Sequence, residues 1–384
     1  MRFSEFVDVW QKLTLKNFTG RIRRKNVNNL SNRPLTISAQ YGLIDQNDFF
    51  DRQIASKDMS GYYLLNNGEF AYNKSYSNEY PLGTVKRLDK YQNGALSSLY
   101  ICFNPKLNII NSDFLVHYFE TSKWHKGILN IAGEGARNHG LLNMSVEDYF
   151  NTQHNIPNLK EQEKISKFLN LIVNRIETQS KIIEDLESLK KWFINQQFKQ
   201  SPNATIGQFI EQTFERNKNN TINRVLSVNN KYGFINQCEQ FEDREVASDN
   251  KTNYKIVKLN DFAFNPARIN VGSIAKLNNY KIGIVSPMYI CFKCVENKLN
   301  ADYLAYYFLS NSFKNSLNKR LEGSVRQCLQ YDALCNIRLL VPTLNEQIVF
   351  VNKIKLISEK LEKEKDILKL YKKQKAYLLQ NMFI

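Results

Sequence analysis

Ile156-Pro157-Asn158-Leu159-Lys160-Glu161-Gln162 is written a second time, with changes, as Val341-Pro342-Thr343-Leu344-Asn345-Glu346-Gln347, an offset of 185 residues. Proline is tolerated just ahead of a helix and not inside one. Each copy opens a long helical segment, and each segment ends in a short aromatic tail, Gln197-Phe198 and Met382-Phe383. Tyr100-Ile101-Cys102-Phe103 returns unchanged as Tyr289-Ile290-Cys291-Phe292. Further matches join Tyr41-Gly42 to Tyr232-Gly233, Ala71-Tyr72-Asn73 to Ala263-Phe264-Asn265, Tyr118-Phe119 to Tyr307-Phe308, and Arg137 to Arg326. The offset drifts between 185 and 192, as loop insertions and deletions would make it do. A repeat this long means two whole lobes, not a solenoid.

The helical segments carry a stepped apolar seam. Steps of four and three from Ile165 reach Leu169, Ile172, Ile176, Gln179, Ile183, Leu186, Lys190 and Phe193. The same frame in the second copy reaches Phe350, Ile354, Ile357, Leu361, Glu364, Leu368, Tyr371, Lys375 and Leu378. The polar exceptions fall at the same steps in both, which favours two helices pairing with each other as a coiled coil. A helix lying only on its own lobe would show the same stripe. The lobes mix strand and helix signals. Leu99 to Phe103, Ile282 to Val285 and Pro287 to Phe292 are β-prone apolar runs. Ser112 to Phe119 and Asn300 to Phe308 have helical spacing behind a capping residue. Asn66-Asn67-Gly68 and Gln92-Asn93-Gly94 have turn composition. The expected fold is therefore α/β (α+β), duplicated. The expected boundaries are lobes at 1–155 and 200–340 and long helices at 156–199 and 341–384.

Composition narrows the function. The 384 residues hold 53 Lys+Arg against 37 Asp+Glu, a net charge of +16 that favours a polyanionic partner. At 42% hydrophobic residues, disorder is not expected. No apolar run reaches 18 residues, so no membrane helix is expected. The start, Met1-Arg2-Phe3-Ser4-Glu5, lacks the apolar core of an export signal. A cytoplasmic protein with reduced thiols follows as the expectation.

Catalytic patterns are poor. No Gly-x-x-x-x-Gly-Lys-Ser/Thr phosphate loop is present. Asn265-Pro266-Ala267-Arg268 lacks the second proline and the aromatic residue of an amino-methyltransferase motif. Cys291 and Cys294 are separated by two residues, with no second such pair and no histidine pair to complete a zinc site. The four histidines (117, 125, 139 and 154) all lie in the first lobe, where solvated or capped rings are expected rather than a shared catalytic one. DNA contacts are the better reading. Lys86, Arg87, Arg137, Arg268, Lys276, Lys319, Arg320 and Arg326 lie near glycines or in loop-like stretches. Arginine clamps phosphate and reads guanine, and asparagine, as at Asn265, can read adenine. A surface ion pair is the alternative for any one of these cations.

The two Pro-x-x-x-Glu-Gln openings, each running into an apolar-seamed helix, resemble the specificity subunit of a Type I restriction–modification enzyme. So do Asn265 to Ala275 and the glycine-arginine stretches around Arg137 and Arg326. The resemblance covers nearly the whole chain and rests on the duplicated architecture. It implies two target recognition domains, each reading half of a split double-stranded DNA sequence. It implies an antiparallel coiled coil that sets the unread spacer. It implies a chain without catalytic residues, metal or cofactor, assembled with two modification subunits that use S-adenosylmethionine. Restriction subunits would add ATP- and Mg-dependent translocation and cleavage. Glu161, Gln162, Glu346 and Gln347 are the expected subunit contacts. Lobe one lacks a Pro-x-Arg after Asn73, so the two lobes are expected to read different bases there. An adaptor coil without DNA reading and a divergent methyltransferase or nuclease are the competing classes.

Overall fold

The computed structural model describes residues 1–50, 55–75, 80–132, 142–230, 232–237, 251–321 and 328–384. It divides into two compact units, Met1–Gln179 with Ile367–Ile384, and Ser180–Asp366. The division between the units falls inside each long helix.

The first unit contains β1 (Gln11–Thr14), α1 (Leu15–Phe18), β2 (Thr19–Arg21), β3 (Pro34–Ser38), β4 (Gly42–Asp45) and α2 (Gln46–Phe49). There follow β5 (Tyr63–Asn66), β6 (Phe70–Asn73), β7 (Thr84–Arg87), β8 (Asn93–Leu96) and β9 (Ile101–Pro105). Then come α3 (Ser112–Phe119), α4 (His125–Ile131), α5 (Val146–Asn151), β10 (Gln153–Ile156) and the start of α6 (Leu159–Lys199). One sheet runs β2-β9-β6-β7, another runs β4-β3-β8-β5, and β1 pairs with β10. In the second sheet β3 and β8 are parallel, and the other pairings are antiparallel.

The second unit repeats this order. It holds β11 (Ala204–Thr205), β12 (Ile210–Thr213), β13 (Leu226–Asn229), β14 (Gly233–Asn236), β15 (Lys255–Lys258), β16 (Phe262–Phe264) and β17 (Ile274–Lys276). It continues with β18 (Ile282–Val285), β19 (Ile290–Cys294), α7 (Ala301–Leu309), α8 (Asn311–Asn318), α9 (Tyr331–Cys335), β20 (Arg338–Leu339) and α10 (Leu344–Met382). The sheet β12-β19-β16-β17 copies β2-β9-β6-β7. The antiparallel pairs β13–β14 and β15–β18, with a parallel bridge from Val225 to Ile284, copy the other sheet.

The shared tetrapeptides lie in these cores. Phe70 stacks on Phe103 at 5.4 Å, and the matched Phe262 stacks on Phe292 at 5.1 Å. Aromatic pairs of this kind add about 0.5–1.5 kcal/mol beyond their buried area. Cys102 and Cys291 are buried beside them, and burial pushes each thiol up to about 12, as packing residues rather than reactive thiolates. Gly94 departs from the turn expected at 92–94. It lies within β8, where a Cβ would come within 2.4 Å of the Leu35 side chain on the neighbouring strand. Gly283 in β18 repeats the arrangement against Leu226, also at 2.4 Å. Glycine is there for close approach of strands, not for turning.

The helices pair within each unit. In the first unit, Ile165, Leu169 and Ile172 from the start of α6 share a core with Leu378, Met382 and Phe383 from the end of α10. In the second, Ile194 and Phe198 from the end of α6 share a core with Phe350, Val351 and Ile354 from the start of α10. A helix start meets a helix end both times, which is the antiparallel coiled coil. The polar seam residues Gln179 and Glu364 are buried, and Lys360 pairs with Glu364. The aromatic tails seal the lobes. Phe383 contacts Trp10, Phe114 and Tyr118, while Phe198 contacts Tyr303, Tyr307 and Phe350. Among the described residues no helix is long and apolar enough to cross a membrane.

Of the histidines expected to be solvated or capped, two are buried and capped by hydrogen bonds. His117 and His154 are buried; His117 bonds to Asn170, and His154 bonds to Tyr118 and Thr152. Burial lowers His154 from its ordinary 6.5 to about 4. The unfolded chain therefore takes up this proton near 6.5 while the folded chain refuses it, so stability falls as pH drops from about 6.5 to about 4. The full loss is on the order of 3 kcal/mol. Leu339 occupies the equivalent place in the second unit. His154→Leu is expected to flatten the acid limb of the first unit's unfolding by about one proton. An unchanged slope in urea titrations between pH 4 and 7 would assign the acid sensitivity elsewhere.

Candidate nucleic-acid interface

In each unit three chain segments meet at one edge of the strands. The first is the tip of a hairpin, β3–β4 or β13–β14. Gly42 and Gly233 have φ of +80° and +69° there, a left-handed turn that glycine adopts without strain. Each is preceded by an exposed tyrosine, Tyr41 or Tyr232. The second segment follows β6 or β16. In the second unit it is the 3-10 turn Pro266–Val271, capped by Asn265 and closed by Gly272 at φ +88°. A Cβ on Gly272 would lie 3.3 Å from Asn230 at the hairpin tip, so the turn and the tip touch closely. The third segment is where the chain returns after its glycine-arginine stretch. The Leu329 N–H donates to the Pro266 carbonyl at 3.2 Å, and the Leu142 N–H donates to the Lys74 carbonyl at 3.0 Å. Lys74 and Pro266 are repeat equivalents. The stretches that carry Arg137 and Arg326 therefore rejoin their units at the same edge, although both arginines lie outside the described residues.

The candidate residues divide sharply. Arg268 is exposed on the 3-10 turn, and Lys319 is exposed at the end of α8. Asn265 is buried, and its side chain accepts from the Ala267 N–H at 3.1 Å, so it shapes the turn instead of offering an amide to a base. Arg87 is taken up by the fold. It pairs with Asp89 at 2.6 Å and Asp113 at 2.8 Å and donates to the Ser112 hydroxyl. Lys276, its repeat equivalent, pairs with Asp302 at 2.6 Å with its side chain 7% exposed. Asp113 and Asp302 are also equivalent, each in the first turn of its helix, where a carboxylate suits the dipole. These two cations join β7 to α3 and β17 to α7. Arg320 donates to the carbonyls of Ser316 and Asn336 and closes the end of α8. Lys86 is half-buried, and desolvation lowers its pKa. It lines a cleft with Glu120, Lys372 and Lys375.

The Glu-Gln openings have an internal use. The Gln162 Oε1 accepts from the Asn111 N–H at 2.7 Å, and its Nε2 donates to the carbonyls of Ile109 at 3.1 Å and Pro157 at 2.8 Å. Gln347 repeats each contact, from Asn300 at 2.8 Å and to Lys298 at 3.3 Å and Pro342 at 2.9 Å. Both glutamines are fully buried. Glu161 is also fully buried, held by Arg2 at 2.6 Å and by the Trp10 indole at 3.3 Å. A side chain without accessible area has none to give a partner, so any docking near these openings uses their exposed neighbours. Glu346 alone of the four is exposed, and it caps its own helix through Thr343. The matched Tyr-Gly pairs are the sequence signal of these exposed hairpin tyrosines. Among the described residues no cluster of three or more His, Cys, Asp or Glu is placed to hold a metal ion.

The chain is similar to proteins of one kind in both sequence and fold. No family profile matches the chain. It is 24% identical over 324 residues to the Type I restriction enzyme MjaVIII specificity subunit of Methanocaldococcus jannaschii, across 74% of this chain and 73% of that one. Its fold matches the Type I restriction-modification system S subunit from M. genitalium with a TM-score of 0.52 at 13% identity, covering 100% of this chain and 99% of that one. A chain from a structure concerned with complex assembly and conformational transition of the type I R-M system matches at 0.57 and 14% identity, covering 98% and 97%. The chain is thus similar to Type I specificity subunits in sequence over three quarters of its length and in fold over nearly all of it, as the duplicated helix openings indicated.

Proposed function

We propose that this relative of the Type I specificity subunits is the DNA-reading component of a restriction–modification complex, with each unit reading one half of a bipartite, asymmetric target. The observation that carries this is the duplicated edge. Each unit presents a hairpin tip with an exposed tyrosine, a loop beside it, and the return of a glycine-arginine stretch. The two edges share a frame and differ in residues, with Lys74 in one and Pro266-Ala267-Arg268 in the other. Shared frames with unlike side chains are what two half-sites of different sequence require. The net charge of +16 supplies the attraction to phosphates. The long helices would hold the spacer and dock two modification subunits, which supply S-adenosylmethionine chemistry. Restriction subunits would supply ATP-driven cleavage. The chain by itself would then transfer no methyl group.

Selection of bound sequences from random DNA tests this. The expected outcome is two short defined half-sites separated by an unread gap. Arg268→Ala should relax or weaken the second half alone, at about 1–3 kcal/mol if the guanidinium reads a base. Equal weakening on every sequence would make Arg268 a phosphate contact. A single contiguous site, or no preference at all, would reject the reading.

A further inference from the structure

A cleft of about 430 Å³ lies within the first unit, formed by the end of α3, the start of α4, β7 and the late turns of α10. Lys86, Lys372 and Lys375 line it, and Glu120 is the one carboxylate among its described lining residues. Lys375 holds that carboxylate at 2.8 Å. Among the described residues, the Lys86 and Lys372 ammonium groups, the Ser122 hydroxyl and the His125 ring make no hydrogen bond to the protein. Lys86 is half-buried and desolvated, which costs free energy unless a partner offsets it. The fold does not ask for that charge. Lys86 sits opposite Ala71 in its sheet, and the same place opposite Ala263 in the second unit is Ala275. Shifted by the repeat offset, Lys372 becomes Glu187, and only Lys375 keeps a lysine, Lys190. The lysine cluster is therefore not part of the shared frame of the two lobes.

We propose that this cleft binds a small phosphomonoester, such as a mononucleotide, with Lys86, Lys372 and the Ser122 hydroxyl on the phosphate oxygens and the organic part against Ala376 and Leu379. Charge selects the phosphate. Three ammonium groups against one carboxylate leave two positive charges in the cleft. A phosphomonoester carries a charge of about −1.5 to −2 near pH 7 and offers three acceptor oxygens. A carboxylate ligand would leave one of those cations without compensation. Charge-assisted hydrogen bonds from ammonium groups to phosphate oxygens are about twice as strong as neutral ones. They would offset the desolvation of Lys86 that the protein's own groups leave standing. The half-buried position of Lys86 favours a small ligand over a duplex, whose backbone phosphates meet exposed cations. The site stands whether or not the chain reads DNA, and it belongs to the first unit alone.

The test is calorimetric titration of the full chain with AMP, with inorganic phosphate and with a short nonspecific DNA duplex. The parent is expected to bind AMP at one site per chain, and inorganic phosphate more weakly at the same site. Lys86→Ala and Lys372→Glu install the residues that the second unit carries at these places, so the fold should tolerate both. Each should weaken AMP binding roughly ten-fold or more, whereas Lys190→Ala should leave it unchanged. AMP should raise the unfolding temperature of the parent and not that of Lys86→Ala. No binding of AMP or phosphate by the parent would overturn the proposal, as would AMP affinity unchanged in both cleft variants. Equal weakening in Lys190→Ala would reduce the effect to general charge attraction and overturn it as well. Duplex affinity lost in Lys86→Ala and Lys372→Glu, with no AMP binding by the parent, would make the occupant a DNA backbone phosphate and sink the small-ligand site.

Discussion

Gln162→Ala is expected to cost the first unit about 3 kcal/mol or more. Alanine would leave the Asn111 N–H and the carbonyls of Ile109 and Pro157 buried without their partner. Each stranded group costs about 1–3 kcal/mol, only partly relieved if water enters. The Asn111 side chain also caps α3 by accepting from the Phe114 N–H at 2.9 Å, so the loss reaches a second helix. Gln347→Ala should weaken the second unit in the same way through Asn300, which caps α7. Urea unfolding, with amide exchange read separately at α3 and α7, distinguishes the two. A loss below about 1 kcal/mol in both would show that the glutamines are tolerated rather than required.

Removing one heptad from both long helices should move the target, not abolish it. Deleting 176–182 together with 361–367 keeps the seam in register because the frames match. Seven residues shorten a helix by about 10 Å. At about 3.4 Å per base pair, this is roughly three base pairs of spacer. The half-site bases should persist, because the strand edges that carry the hairpin tips are untouched. Methylome sequencing of cells carrying the shortened chain would display the new spacing. An active enzyme that keeps the parental spacer would show that something other than the helices measures distance.

The duplication was readable because packing leaves a residue-by-residue trace. Strand and helix positions matched across the repeat became matched strands and helices, down to the stacked phenylalanine pairs. Roles were harder to read. Gln162 and Gln347 match because both lobes need the same tie, and a match alone does not say whether a residue faces a partner or its own backbone. Arg87 and Lys276 carried a better signal. Their offset of 189 is also the offset of Asp113 and Asp302, so opposite charges recur together and mark an internal pair. Glycine at 94 read as a turn because strand crowding by Leu35 depends on a neighbour distant in sequence. Met1 to Trp10 has no repeat partner, so nothing in the sequence indicated that Arg2 and Trp10 would hold Glu161.

The seating of Phe383 against Trp10, Phe114 and Tyr118 has a consequence for biosynthesis. Residues 378–383 leave the ribosome after every other part of the first unit has been made. Its apolar floor must wait through translation of the entire second unit before Leu378, Met382 and Phe383 arrive to cover it. At about 5–20 residues per second, that wait lasts on the order of ten seconds or more. The second unit waits for much less, because its helix segments flank it on both sides. The half translated first is therefore finished last. A ribosome that stops short of residue 378 releases a chain whose first lobe exposes an aromatic surface, the kind of surface that chaperones and proteases recognise.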